Sequence, residues 1–484
     1  MLERLRLKRY ALKRKINRFH SPIVRKLPPD VTSTIFELCL PDFTDNPLSY
    51  YPEEDISIPL SLGAICSYWR DIAWSTPSLW SSLVVRVTSK HKSPITIGIA
   101  QEWLARSGQL PLSIRIASAL RDHQAMSALA DIINQYSIRW SELDLNIPDH
   151  HYQYFHATEN HAPILKFIRF YGPRCATDLN FKLTCPRLER ANFSSFPIDE
   201  TNIQFDNLTH LTLQFTSLIN SLPILRQTPR LVFLKFSGSC ERYEGPGLGA
   251  LVLTSLKYLE LLSWDLAEDF LNNLIAPQLE ELRTSSYIFT SMETITSFIR
   301  RSACSLRSFS MYFTIFPPYF EAFMDCLQVM PSLNKISIML LSSTSVEDNT
   351  PKNFDPRSLF QLLAKVLSSQ STSPQQGFLP NLKILEYSGK LYLRPGNYDD
   401  FYSLPPTDDS IHGPFHLLKL DLDAATHIPK DMISCLLSLV ERGITVNVSN
   451  NSKDILQSSI DYHRCKEESL AQDENDSFDL QSFF

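Results

Sequence analysis

Glycine is scarce in this chain. There are 13 in 484 residues, well under the roughly 7% of average usage. That shortage works against phosphate-cradling loops, whose backbone approach and turning depend on glycine. The one glycine-rich loop, EGPGLGA at 244–250, fits neither G-x-G-x-x-G nor the Walker pattern and precedes a repeat strand, so it reads as an inter-repeat turn. Long apolar runs are missing too. No stretch of 18 apolar residues occurs, which argues against a membrane span and a membrane partner. The N-terminal MLERLRLKRYALKRKINRF offers no apolar segment suited to secretion. The expected location is therefore intracellular, cytoplasmic and/or nuclear.

Catalytic signatures are absent as well. H-E-x-x-H, G-x-S-x-G and C-x-x-C do not occur. The nine cysteines are scattered at 39, 66, 175, 185, 240, 304, 326, 435 and 465. An odd, unclustered set argues against a disulfide framework or a cysteine zinc site and for reduced thiols. One tract, DHHYQYFHATENH, gathers His150, His151, His156 and His161. Imidazoles ligate zinc, but the spacing matches no zinc signature. The expectation is no enzyme, no metal and no cofactor.

What is present is ordinary globular composition, 43% apolar and 20% charged, in a chain long enough for a sizeable core. The net charge of −6 conceals two charged ends. Residues 1–26 carry ten Lys/Arg against the single acid Glu3, whereas residues 451–484 carry three Lys/Arg and eight Asp/Glu. Both read as solvated, the acidic end as a disordered tail. No aromatic interleaving accompanies the basic segment, so nucleic acid is not an expected partner.

Between these ends an internal repeat dominates. The unit leucine-x-x-apolar-x-apolar, often after proline, appears as WSELDL from Trp140, LKFIRF from Leu165, LERANF from Leu188 and LTHLTL from Leu208. It continues as LVFLKF from Leu231, LKYLEL from Leu256, LEELRT from Leu279, LRSFSM from Leu306 and LNKISI from Leu333, then LKILEY from Leu382 and LLKLDL from Leu417. Spacings are 20–27 residues except for a 49, close to two periods and holding a helix-like FDPRSLFQLLAKVLSS, and a 35 that carries an insertion. Each unit supplies a short strand with alternate residues inward, and no unit buries its apolar side alone. The predicted fold is an α/β solenoid, a leucine-rich-repeat horseshoe over 88–450 with a parallel sheet on its concave face. Eleven strands at about 4.8 Å span on the order of 50 Å, a protein-sized surface.

Ahead of the repeats, residues 27–87 read as a small helical module. Val31, Ile35 and Leu38 share one helical face, and Leu62, Ile65, Trp69 and Ile72 form a stripe on a second helix. STPSLWSSL begins a third, short helix. Three of the chain's six tryptophans, Trp69, Trp74 and Trp80, fall within twelve residues here.

LPPDVTSTIF and ICSYWRDIAWSTPSLWSSL together resemble the F-box, in the divergent form common in mushroom-type fungi. Leu27-Pro28, Ile35-Phe36, Ile65-Cys66, Trp69-Arg70 and Thr76-Pro77-x-Leu79-Trp80 carry the resemblance over about 60 residues. Asp30 where the family often has Glu, and a long loop bearing Tyr50 and Tyr51, depart from it. F-box proteins with leucine-rich repeats behind the box are a familiar class. The resemblance implies a three-helix module that docks a Skp-type adaptor, and through it a cullin–RING ubiquitin ligase. Leu27, Pro28, Ile35, Phe36, Ile65 and Trp69 would face or brace the adaptor, with Trp80 plugging the junction to the first repeat.

The chain then reads as a substrate-recognition subunit whose repeats hold an unidentified target protein. Residues between the apolar positions would line the concave face. Aromatic and basic side chains there, namely Phe167, Arg169, Tyr171, Arg190, Lys235, Tyr258, Glu260, Arg283 and Tyr312, are the candidate target-binding set. Two other readings stand beside it: a ligase-independent repeat scaffold whose box only stabilises the end of the repeats, and an enzyme built on the histidine tract.

Overall fold

Two prolines set the first helix. Pro28 is extended (φ −60°, ψ 152°) and Pro29 opens α1 (Pro29–Leu38), where a missing N–H costs nothing. The computed structural model describes residues 27–41, 57–87, 93–119, 122–157, 161–172, 183–196, 203–238, 249–262, 266–286, 292–313, 320–340, 356–372, 377–389, 413–422, 427–428, 430–450 and 453–481, with parts of 4–16. Tyr50, Tyr51 and most of the glycine-rich loop at 244–250 lie outside the described residues.

The predicted second helix is two. α2 (Ile58–Ile65) stops at Cys66, whose extended backbone (φ −156°, ψ 166°) separates it from α3 (Ser67–Trp74). The Cys66 sulfur accepts the Trp69 N–H at 3.4 Å and caps α3. This break divides the expected stripe: Leu62 and Ile72 are buried, whereas Ile65 is exposed. The predicted third helix is a 3-10 turn, Pro77–Trp80. Arg70 Nε donates to Gly63 O at 2.8 Å and ties α3 back onto α2.

The tryptophans are packed in sequence. The Trp74 ring lies over Gly63 so closely that a Cβ there would fall 1.8 Å from ring carbon Cζ3. Trp74 meets Trp80 edge-on at 5.3 Å, and Trp80 meets Trp103 of α4 (Ser93–Arg106) edge-on at 4.8 Å. Trp80 is fully buried, and its indole N–H donates to Ala73 O at 2.7 Å. Arg106 lies over both the Trp74 and Trp80 rings, 5.2 Å from each, while pairing with Glu102. Trp80 thus stands between the helical module and the first repeat helix.

The chain forms two compact units, one of residues 1–216 and 220–229, the other of 217–219 and 230–484. The first holds the module and, among the described residues, six parallel strands: β1 (Ser82–Val87), β2 (Leu112–Ser118), β3 (Trp140–Asn146), β4 (Phe167–Tyr171), β5 (Arg190–Ser194) and β6 (His210–Thr216). α5 (His123–Asn134) connects β2 to β3. β1 begins inside the range expected for the helical module.

In the second unit β7 (Phe233–Gly238), β8 (Tyr258–Leu261), β9 (Glu281–Ser286), β10 (Ser308–Phe313), β11 (Lys335–Leu340), β12 (Ile384–Gly389), β13 (Leu417–Leu422) and β14 (Thr445–Asn450) pair in parallel in chain order. Helices α6 (Leu266–Asn273), α7 (Met292–Ser302), α8 (Phe320–Gln328), α9 (Pro356–Thr372) and α10 (Lys430–Glu441) occupy crossovers. This is the strand–crossover alternation of an α/β solenoid-like repeat. Among the described residues no helix is long and apolar enough to cross a membrane.

The repeat leucines make the core. Leu165, Leu188, Leu208, Leu231, Leu256, Leu279, Leu306, Leu333 and Leu382 are all buried, as are the two alternating apolar positions that follow each. The 49-residue interval holds no extra strand among the described residues. β11 pairs directly with β12, and α9 lies in the long connection. The last repeat unit read in the sequence begins at Phe415 rather than Leu417, because Leu417 aligns with Ile384 on the other face and Phe415 takes the buried site.

The sequence reads the acidic end as a disordered tail; its described residues, 453–481, hold a short strand and a helix. β15 (Lys453–Asp454) turns back antiparallel on β14, and α11 (Leu456–Gln481) follows. Ile455 and Ser459 are buried, and Ser459 Oγ accepts the Ile428 N–H at 2.9 Å.

Gly63→Ala should force the Trp74 ring off its seat and lower stability by about 1–3 kcal/mol, the usual range for overpacking. Denaturant unfolding followed by tryptophan fluorescence will measure it.

Candidate protein-docking surfaces

The helical module has two apolar faces. Thr32 and Phe36 point inward from α1, and Phe36, only 1% exposed, packs on Trp69 with ring centres 4.9 Å apart. Val31, Ile35 and Leu38, at i, i+4 and i+7, point outward with 41%, 42% and 82% of their surface exposed. Ile65, at the end of α2, is 61% exposed. Of the residues expected at an adaptor interface, Ile35, Ile65 and Pro28 are accessible and Leu27 and Trp69 half-buried. Phe36 belongs to the module's interior and braces Trp69 rather than meeting solvent.

A second surface is the open face of each unit's strands. In the first unit the cross-strand rows are Ser113, Glu142, Phe167, Arg190, His210 and then Arg115, Asp144, Arg169, Asn192, Thr212. These are alternate residues to the buried leucines, as the pleat requires. Their charges are largely spent on one another. Arg115 pairs with Glu142 at 2.9 Å, and Arg169 with Asp144 at 3.3 Å. Phe167 lies under two guanidinium groups, Arg169 at 5.2 Å and Arg190 at 5.1 Å. Phe167 and Arg169, both expected to meet a target, are consequently buried. Tyr171 and Arg190 remain accessible, and a shallow open pocket is lined by Tyr171, Asn192, Ser194, Thr212 and Gln214.

Asp144 is the costly member of this network. Burial pushes its carboxyl up to about 6, with Arg169 and then Arg115 pulling the other way. Its Oδ1 has no hydrogen-bond partner among the described residues.

In the second unit Phe233 and Tyr258 are register partners with rings stacked 4.3 Å apart at 8°. Arg283 covers Tyr258 at 5.4 Å and pairs with Glu281 at 2.8 Å. Lys235 pairs with Glu260 at 2.7 Å, and the Tyr258 hydroxyl donates to the same carboxylate. Burial, that hydrogen bond and the Glu260 charge raise the Tyr258 phenol well above its ordinary value. Glu260 is buried, whereas Lys235, Tyr258, Arg283 and Tyr312 are half-exposed. The result is an aromatic shelf edged by cations across three strands. Further along, Glu386 gathers Lys335 at 2.7 Å, Lys419 at 3.1 Å and the Ser337 hydroxyl at 3.0 Å. Burial acts to raise its carboxyl, but these three donors outweigh it and hold the group below its ordinary value.

Ser113 and Arg115 escaped the sequence reading, because β2 was not recognised as a repeat strand. Alternation in Leu-Ser-Ile-Arg-Ile at 112–116 was the available signal. No cysteine is paired among the described residues. Burial pushes Cys185 up to about 12 and Cys326 and Cys435 up to about 11, which makes them poor nucleophiles.

No protein-family model matches the chain, and no curated protein matches it. Among solved structures it is similar to the one titled "Crystal structure of Rad7 and Elc1 complex in yeast", at 14% identity and a TM-score of 0.30, over 82% of this chain and 96% of that one. A likeness this distant assigns neither partner nor activity.

Folded Asp144 holds its proton up to about pH 6, whereas the ordinary value is 3.8. The folded chain therefore binds this proton more tightly, and the contribution of Asp144 is full below about pH 4 and lost as pH rises to about 6. Relative to Asp144→Asn, the wild type should lose on the order of 3 kcal/mol across that window. Denaturant unfolding of both proteins at pH 4, 5, 6 and 7 will test this.

Proposed function

We propose that the chain is a non-enzymatic substrate receptor of a Skp–cullin–F-box type ubiquitin ligase, with the helical module docking the adaptor and the repeat strands holding a target protein. The observation that carries this reading is the outward aliphatic face of the module. Val31, Ile35, Leu38 and Ile65 stay exposed although Phe36, Leu62 and Ile72 a few residues away are buried. A module of some 60 residues has little core of its own, and apolar residues left out on its short helices are what a partner would cover. Ile35 and Ile65 fall at positions that carry the F-box resemblance, which selects a Skp-type adaptor as the occupant.

On the strand side, the shelf of Phe233, Tyr258 and Arg283 offers the aromatic and guanidinium groups that dominate protein interfaces. In this reading the receptor contributes no nucleophile. It raises the effective concentration of the target's lysines near a charged conjugating enzyme.

One observation favours the scaffold alternative. Trp80 is wholly enclosed between Ala73, Trp74 and Trp103, as it would be if the module served only to close the end of the repeats. The two readings separate on adaptor binding. Val31→Asp with Ile35→Asp should leave circular dichroism and thermal midpoint unchanged, since both sites are exposed. Under the receptor reading it should abolish co-purification with a co-expressed Skp-type adaptor; a wild-type protein that never captures the adaptor leaves only the scaffold. Tyr258→Ala with Arg283→Ala should do the reverse, keeping the adaptor and losing protein partners.

A further inference from the structure

Three imidazoles meet on one side of the first unit. His123 is the first residue of α5, and His150 and His151 lie in the 3-10 turn Asp149–Tyr154 that follows β3. Their ring centres are 4.6 Å (His123–His150), 5.2 Å (His123–His151) and 4.2 Å (His150–His151) apart. A nitrogen from each lies within 4.8 Å of the others. His156 and His161, which the sequence groups with them, are not part of this cluster.

We infer that His123, His150 and His151 form a binding site for a transition-metal dication, zinc by preference, with a fourth position open to water. Imidazole is a favoured donor for Zn²⁺, which bonds nitrogen at about 2.0–2.1 Å in tetrahedral sites. Such a site holds its nitrogens about 3.4 Å apart, so the rings need to close by only about 1.5 Å. The surroundings hold the ligands in place. His123 Nδ1 is 3.1 Å from the Tyr154 hydroxyl, a contact of the kind by which outer partners orient metal-bound imidazoles.

The turn itself is anchored on both sides. Asn134 of α5 donates to Tyr154 O at 2.7 Å and accepts the His156 N–H at 3.3 Å. The buried Tyr152 hydroxyl lies 2.7 Å from Leu145 O and accepts the Tyr171 N–H at 3.0 Å. Burial is graded across the cluster, with His151 enclosed, His150 intermediate and His123 exposed. That gradient gives the ion an approach from solvent and a place for a water ligand. A bound ion would clamp the start of α5 to the β3–β4 connection.

The test is calorimetric titration of Zn²⁺ into the metal-stripped full-length chain, produced without a histidine tag. One saturable equivalent is expected, together with a raised thermal midpoint. His123→Ala and His150→Gln should each weaken binding by about tenfold or more, in the range by which ligand-shell changes act, while circular dichroism of the metal-free proteins stays unchanged. His156→Ala with His161→Ala should bind as the wild type does. Absence of saturable binding, binding that survives His123→Ala with His150→Gln, or loss in the His156/His161 variant would overturn the assignment.

Discussion

A strand with one apolar face and a parallel neighbour cannot stand alone, and that constraint organises each unit. Parallel pairing demands a crossover between consecutive strands, and the crossover must return over the face where Leu143, Ile168, Ala191 and Leu211, or Leu234, Leu259, Leu282 and Phe309, lie side by side. The leucine three residues ahead of each buried pair sits under the turn that starts the strand. Columns of buried side chains therefore run across the ladders, each repeat covering its neighbour. The opposite face is left to polar and aromatic residues.

The helical module meets a related constraint differently. With few residues it gains depth by stacking large rings, Phe36 on Trp69 and Trp74 on Trp80 on Trp103. That stacking works only because position 63 has no side chain. It uses up the inward residues, and the aliphatic side chains of α1 that remain are turned to solvent. The same sequence is thus committed on one face and unsatisfied on the other.

Much of the architecture was legible because the leucine pattern and the strand pleat report the same alternation; starting the last repeat two residues late put Leu417 on the wrong face but left Leu420, Leu422, Lys419 and Asp421 on the right ones. The strands that went unread have local causes. β1 follows Trp80, which has the spacing of a first-position residue but was absorbed into the F-box-like motif. β2 pairs with β3 through a bulge between Leu112 and Ser113, so it lacks one residue of the repeat. At β14, Gly443 stands where the leucine would be. The break at Cys66 depends on a sulfur accepting a backbone N–H, a choice that periodicity does not encode. Within the candidate surfaces, which residues share a face was readable. That Phe167 and Arg169 are consumed by their neighbours was not, because it arises from charges on strands 25 residues or so apart. His123 was invisible for the same reason: its partners lie 27 residues further along, with no motif joining them.

The short reversal after β14 has a consequence for how the second unit ends. A ladder of parallel strands has no built-in limit, since its last member offers a fresh template for another chain. Here Asn450 and Ser449 are engaged by Lys453 and Asp454 running the opposite way, and the Ile455 N–H takes Val448 O at 3.0 Å. A further copy arriving in the same direction as the repeats would find those carbonyls occupied and a charged Lys–Asp pair in its path. The reversal therefore covers the C-terminal end of the last strand, the stretch of edge against which one more parallel strand would have to align.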